Sequence, residues 1–96
     1  MVDGLIVLPP YANQIIEGLK HYEYRSKPPP QNKINTVLFL LSEGYILGKI
    51  MITDFSKNAY SDRIEWDVKV IERFETRIKY KHPNGAQVWV KDVKLV

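Results

Sequence analysis

Three charged residues close together in the chain are the first candidates for chemistry. Lys20, Glu23 and Arg25 fall within Lys20-His21-Tyr22-Glu23-Tyr24-Arg25, where aromatic and polar residues alternate. A period of two predicts a strand. It puts Tyr22 and Tyr24 on one face and His21, Glu23 and Arg25 on the other, with Lys20 at the strand's mouth. Lys and Arg donate to phosphate or to base carbonyl oxygens, while Glu accepts from a base amino group or orients the lysine. Beside aromatic rings, such a cluster can recognise an extruded base by its edges. The same residues also fit a plain ion pair across a barrel end, with no ligand at all.

The elements that must position this cluster can be read from the flanking sequence. Residues 5–8 are a short apolar run, expected as a buried strand that Pro9-Pro10 stops. Pro10 suits a first helical turn, where its missing N–H costs nothing. Ala12, Ile15, Ile16 and Leu19 follow at helical spacing, and Gly18 is placed for a left-handed cap, so a short helix is expected over residues 10–18. The helix then releases the chain into the Lys20–Arg25 strand, whose tyrosines are expected in the core. Pro28-Pro29-Pro30 makes residues 26–35 an extended surface loop, with Lys27 and Lys33 free to border a cleft.

Downstream the pattern is mostly β. Residues 36–41 form a continuous apolar strand, Ser42-Glu43-Gly44 turns the chain, and residues 45–55 alternate as a long strand. Gly48 is its candidate bulge or close-approach point. Residues 63–75 fit two templates. Ile64, Trp66, Val68 and Val70 alternate with polar residues, while Trp66, Val70, Phe74 and Ile78 are spaced by four; the β-branched content favours strand. Asn84-Gly85 between alternating runs predicts a hairpin joining residues 78–80 to 86–90. Trp66 and Trp89 are expected in the core.

The stretch from Leu8 to Arg25 resembles the signature of the ASCH domain family, a relative of PUA domains proposed to bind RNA. That signature is a short helix followed by Gly-x-Lys-x-x-Glu-x-Arg, which Gly18, Lys20, Glu23 and Arg25 supply in register after Tyr11, Ala12 and Ile15. Gly48-Lys49-Ile50 is similar to the family's glycine-bearing strand, and residues 86–93 to its closing strand. The resemblance implies a mainly β, α+β fold: a small PUA-like antiparallel β-barrel with one or two short helices, residues 1–96 forming a single domain. It implies RNA or a modified nucleoside as partner, held by Lys20, Glu23, Arg25 and Lys49. Some members are amidohydrolases that remove acetyl from a cytidine, and they share the Lys and Arg positions. Their nucleophilic threonine is replaced here by Glu23, which favours binding over catalysis; a small amidohydrolase acting on an acylated cytidine stays as an alternative, in which Lys20 and Glu23 would carry the reaction, with Glu23 as a base on water. A downstream glutamate of that pattern would be Glu65, Glu72 or Glu75. A protein-interaction module through exposed strand edges is the remaining alternative.

Composition narrows the classes further. The 96 residues suffice for one modest core, and 45% hydrophobic with 26% charged residues is ordinary for a globular protein. Without cysteine there is neither disulfide nor thiolate metal site, and His21 and His82 have no metal-ligand spacing, so no metal and no cofactor are expected. No apolar run approaches the ~18 residues of a membrane span, and the N-terminus lacks a signal-peptide pattern, so a soluble cytoplasmic protein is expected. A net charge of +3 is compatible with a phosphate-bearing partner. No phosphate-binding loop, dinucleotide fingerprint or nucleophile elbow is present.

Overall fold

Alternating apolar residues make this chain a sheet, and one six-residue helix covers part of it. The computed structural model describes residues 1–96. Strand β1 (Gly4–Ile6) leads to helix α1 (Tyr11–Ile16) and strand β2 (Tyr22–Arg25). A 3-10 turn (Gln31–Lys33) then precedes β3 (Val37–Ser42), β4 (Tyr45–Lys57), β5 (Ile64–Lys79) and β6 (Trp89–Val90). The strands form a single sheet in the order β2-β5-β4-β3-β1-β6, curled into a half-barrel. The expected β-rich α+β class holds. One junction departs from the antiparallel expectation: β1 runs parallel to β3, because the segment between them, carrying α1 and β2, returns the chain to the same end of the sheet.

Residues 63–75 lie entirely within strand β5 apart from Arg63. The four-residue spacing of Trp66, Val70, Phe74 and Ile78 does not require a helix, since positions four apart in a strand also share a face. β4 and β5 are paired with three register shifts, one of them at Ile46/Gly48. Gly48 is the close-approach point expected from the sequence. A Cβ there would overlap the Glu72 carbonyl oxygen and come within 2.7 Å of Ile16 Cδ1, so only glycine lets β5 and α1 close over β4.

The core gathers Leu5 and Val7, the α1 residues Ala12, Ile15 and Ile16, and Leu38, Leu40, Ile50, Ile52, Trp66 and Val68 from the sheet. Each fully buried Leu or Ile contributes roughly 1.5–3 kcal/mol. A second, smaller cluster joins Leu41, Ile46, Tyr80 and Val90. Trp66 is in the core as expected, and Trp89 stacks on it with ring centroids 6.1 Å apart.

Three local expectations are corrected. The helix ends at Ile16, so Leu19 lies beyond its cap and is exposed instead of completing the apolar face. Asn84-Gly85 does turn the chain, with the Ala86 N–H donating to the Pro83 carbonyl, but it makes no hairpin. β6 pairs with β1, and Tyr80 bridges to Leu95, because the core offers Trp89 and Val90 a place beside Leu5 and Gly4. Tyr22 and Tyr24 are not core residues. Tyr22 is exposed and Tyr24 half-buried, their centroids 5.1 Å apart, and the buried position between them belongs to Glu23.

Candidate ligand-binding cleft

The C-terminus of α1 sets the position of Lys20. Gly18 adopts φ +78°, its N–H bonds the Ile15 carbonyl at 3.0 Å, and the Leu19 N–H bonds the Gln14 carbonyl at 2.9 Å. These two bonds are those of a Schellman cap, which satisfies the last carbonyls of the helix and redirects the chain. The Lys20 N–H shares the Gln14 carbonyl at 3.1 Å, so the backbone of Lys20 is fixed by the cap itself. β2 then runs antiparallel to β5, with Glu23 opposite Trp66 and Arg25 opposite Ile64.

That path brings Lys20, Glu23 and Arg25 together. Glu23 is only 7% exposed. Its Oε2 accepts from Arg25 Nη2 at 2.9 Å and Nε at 3.2 Å, and its Oε1 faces Lys20 Nζ at 3.7 Å. A carboxylate this buried needs such partners, since an unpaired buried charge is strongly unfavourable. Arg25 Nη2 also donates to the Ile6 carbonyl at 2.9 Å, tying β2 to the end of β1. Lys20 Nζ sits 4.4 Å from the centroid of Tyr11 and 5.3 Å from that of Tyr22, and the Arg25 guanidinium lies 5.8 Å from that of Trp66. The guanidinium and ammonium are therefore held by both carboxylate and aromatic faces.

These three residues line one wall of a cleft of about 780 Å³. Ile6, Leu8, Tyr11 and Tyr24 give the cleft apolar and aromatic surface; Arg63 stands beside the end of β2. Desolvation, and then the neighbouring Glu65 carboxylate, hold the Tyr24 phenol above its ordinary value, so it stays a neutral hydroxyl. His82, Ala86 and Gln87 complete the lining. His82 Nε2 lies 3.0 Å from the Ala86 carbonyl, which can only accept, so that nitrogen carries the proton. Nδ1 then accepts from the Tyr80 hydroxyl at 2.7 Å. Burial pushes the Tyr80 phenol up, which keeps it a donor. This chain of bonds pins the 83–86 turn against the cleft.

Lys49 is not brought to the group. It points from β4 toward Glu72 across the β4–β5 pair, Nζ to Oε1 3.6 Å, and takes no part in the cleft wall. Glu65, Glu72 and Glu75 do not line the cleft either. Lys33 is committed to an ion pair with Asp3. Lys27 borders a neighbouring depression, with Pro28, Pro30 and Trp89, that shares only Arg25 with the main cleft. Sequence reasoning missed Arg63 and His82. The Tyr80-x-His82 spacing, which puts both side chains on one face of an extended segment, was the available signal for the second; Arg63 had none.

No cluster of three or more His, Cys, Asp or Glu side chains is arranged to hold a metal ion, and no helix is long and apolar enough to cross a membrane. No protein of curated function matches the chain significantly. A family match does exist, to the ASCH domain, over residues 5–81. It runs from the second residue of β1 through the end of β5, and it stops one residue before His82. With β1, the capped helix and the Lys20–Arg25 strand all inside a match that covers most of its length, the chain belongs to the ASCH domain family.

Proposed function

We propose that this chain, acting as one ASCH-type domain in the cytoplasm, binds RNA or a modified nucleoside by taking a base into the cleft beside Lys20, Glu23 and Arg25. One observation carries this reading: the three motif side chains form a connected, pre-organised charged group on the wall of a cleft of about 780 Å³ that also offers aromatic surface. That volume falls in the range of small-molecule sites. The remaining donor hydrogens of Lys20 and Arg25 suit base carbonyl oxygens, and Tyr11 and Tyr24 offer faces for stacking. Family membership supports the same class of ligand, since ASCH domains are associated with RNA.

The reading is a binding site without turnover. Both Glu23 oxygens are occupied by cations, and the cleft wall carries no hydroxyl or thiol of Ser, Thr or Cys to act as nucleophile. The test is a titration of the wild type and of Lys20→Ala/Arg25→Ala with short single-stranded RNAs and free nucleosides, N4-acetylcytidine among them. Binding and acetate release are followed together, and thermal melts confirm that the variant is folded. The expected result is saturable binding that the variant loses, with no acetate. Acetate release by the wild type would replace the binding reading with a hydrolase. Wild type that binds none of the probes would return the three side chains to a structural role.

A further inference from the structure

Three cations, Lys20, Arg25 and Arg63, line the cleft, and Glu23 is the only carboxylate among its walls. Lys20 and Arg25 are already spoken for by Glu23. Arg63 is different. Of the four arginines, Arg25 pairs with Glu23, Arg73 with Glu17, and Arg77 bonds Asn13, while the Arg63 guanidinium has no partner within the chain. Its backbone, in contrast, is fixed: its N–H donates to the Ser61 hydroxyl at 3.2 Å and its carbonyl accepts from the Asn58 N–H at 3.0 Å. It directly precedes Ile64, which pairs with Arg25, so Arg63 lines the cleft where β2 ends.

We infer that Arg63 is a phosphate-recognition residue, and that the cleft takes a phosphorylated nucleotide unit in preference to a free nucleoside. This deepens the base-binding reading and rests on it. A guanidinium presents five N–H donors in a planar fork that matches two phosphate oxygens, and charge-assisted bonds of this type are the strong ones. Beyond the single charge of Glu23, the cleft holds no acid to neutralise the positive charge along its wall, so an anionic ligand supplies what the fold leaves open. Glu23 keeps the motif cations on the base side, and Arg63 addresses the phosphate. The phosphate can be a monoester on a free nucleotide or a diester in a strand.

The experiment compares affinities of the wild type and Arg63→Gln for the common nucleosides, their 5′- and 3′-monophosphates, and a short single-stranded RNA. The wild type is expected to bind a monophosphate, or the strand, about tenfold tighter than the matching nucleoside, as one charge-assisted bidentate contact allows. Arg63→Gln is expected to erase that preference, lowering affinity for the phosphorylated ligand far more than for the matching nucleoside. Arg63 is an exposed loop residue whose side chain makes no hydrogen bond or ion pair in the chain, so the variant is expected to fold, which a thermal melt checks. A phosphate effect seen with monophosphates assigns a free nucleotide, and one seen only with RNA assigns a strand; either supports the inference. A preference that survives Arg63→Gln, or nucleoside binding with no phosphate preference in the wild type, overturns it and leaves the base-binding cleft standing. Binding of no probe by the wild type removes both.

Discussion

Replacing Glu23 by alanine tests whether the motif is held together as its geometry implies. The carboxylate is 7% exposed and engages two cations whose side chains are themselves largely covered, 14% for Lys20 and 23% for Arg25. Alanine removes the acceptor of two Arg25 bonds and leaves both cations facing a partly dry pocket. Breaking one member of a fully buried pair costs about 3–5 kcal/mol, and residual solvent access at Arg25 reduces this to about 2–3 kcal/mol. For a domain of this size that is a melting temperature lowered by roughly 10–20 °C. Chemical denaturation of the wild type, Glu23→Ala, Arg25→Met and the double variant supplies the cycle. A coupling of about 1–2 kcal/mol is expected, so the double variant should be less damaged than the two single losses added together. A loss under about 0.5 kcal/mol, or strict additivity, would refute the claim that Glu23 pre-organises the pair.

Two further perturbations address the scaffold. Gly48→Ala places a methyl group against the end of the Ile16 side chain and against the Glu72 carbonyl oxygen, which as backbone cannot yield cheaply, and should cost about 3 kcal/mol by denaturant unfolding; an unchanged midpoint would mean that the β4–β5 bulge adapts. Asp3 anchors both ends of the chain's path, accepting from Lys33 and, at 2.8 Å, from the Asp92 N–H. The Lys33 hydrogen bond first, and the Asp92 N–H next, hold its carboxyl below the ordinary value of 3.8 against an opposing effect of burial. A folded-state value below the unfolded one means stabilisation that is complete above the unfolded value and is lost as pH falls from there through the lowered folded value. Asp3→Asn should therefore destabilise the protein at neutral pH by about 1.5–3 kcal/mol and flatten the acid limb of its stability profile, read by urea unfolding across that range. A parallel acid limb in the variant would exclude Asp3 as its source.

Local signals reported faithfully where one residue type has one physical use. Gly18 marked the helix cap because a positive φ there is what lets the Schellman bonds form, and Gly48 marked a close approach because no Cβ fits. The Lys20, Glu23 and Arg25 cluster was legible because strand alternation fixes which side chains share a face. What alternation cannot tell is which face turns inward. Tyr22 and Tyr24 are the more apolar pair, yet the buried position on β2 is Glu23, because its charge is satisfied by Lys20 and Arg25, and Arg25 in turn by the Ile6 carbonyl. Pairing partners were equally hidden. Asn84-Gly85 makes a turn wherever it occurs, but β6 chooses β1 over β5 through contacts with Leu5 and Gly4, far away in the chain. Lys49 was joined to the site by its neighbour Gly48, whose role proved to be packing.

The cleft's position follows from the edge. β2 is an outer strand, with β5 on one side and no strand on the other, a placement that exposes unpaired backbone and invites association. Here the edge carries Glu23 and Arg25 on its inward face, and an inward-pointing charge is one of the devices by which edge strands are kept from pairing with other chains. Paired with each other and, through Arg25, with the Ile6 carbonyl, the same charges keep their remaining donors for the cleft on their open side. A motif that protects an edge and a motif that presents donors to a ligand thus make the same demand on the sequence: a lysine delivered by a helix cap, then a glutamate and an arginine two apart on a strand. The Glu23 cycle and the Lys20/Arg25 titration separate these roles, since the first reads stability with no ligand present and the second reads binding in a folded variant.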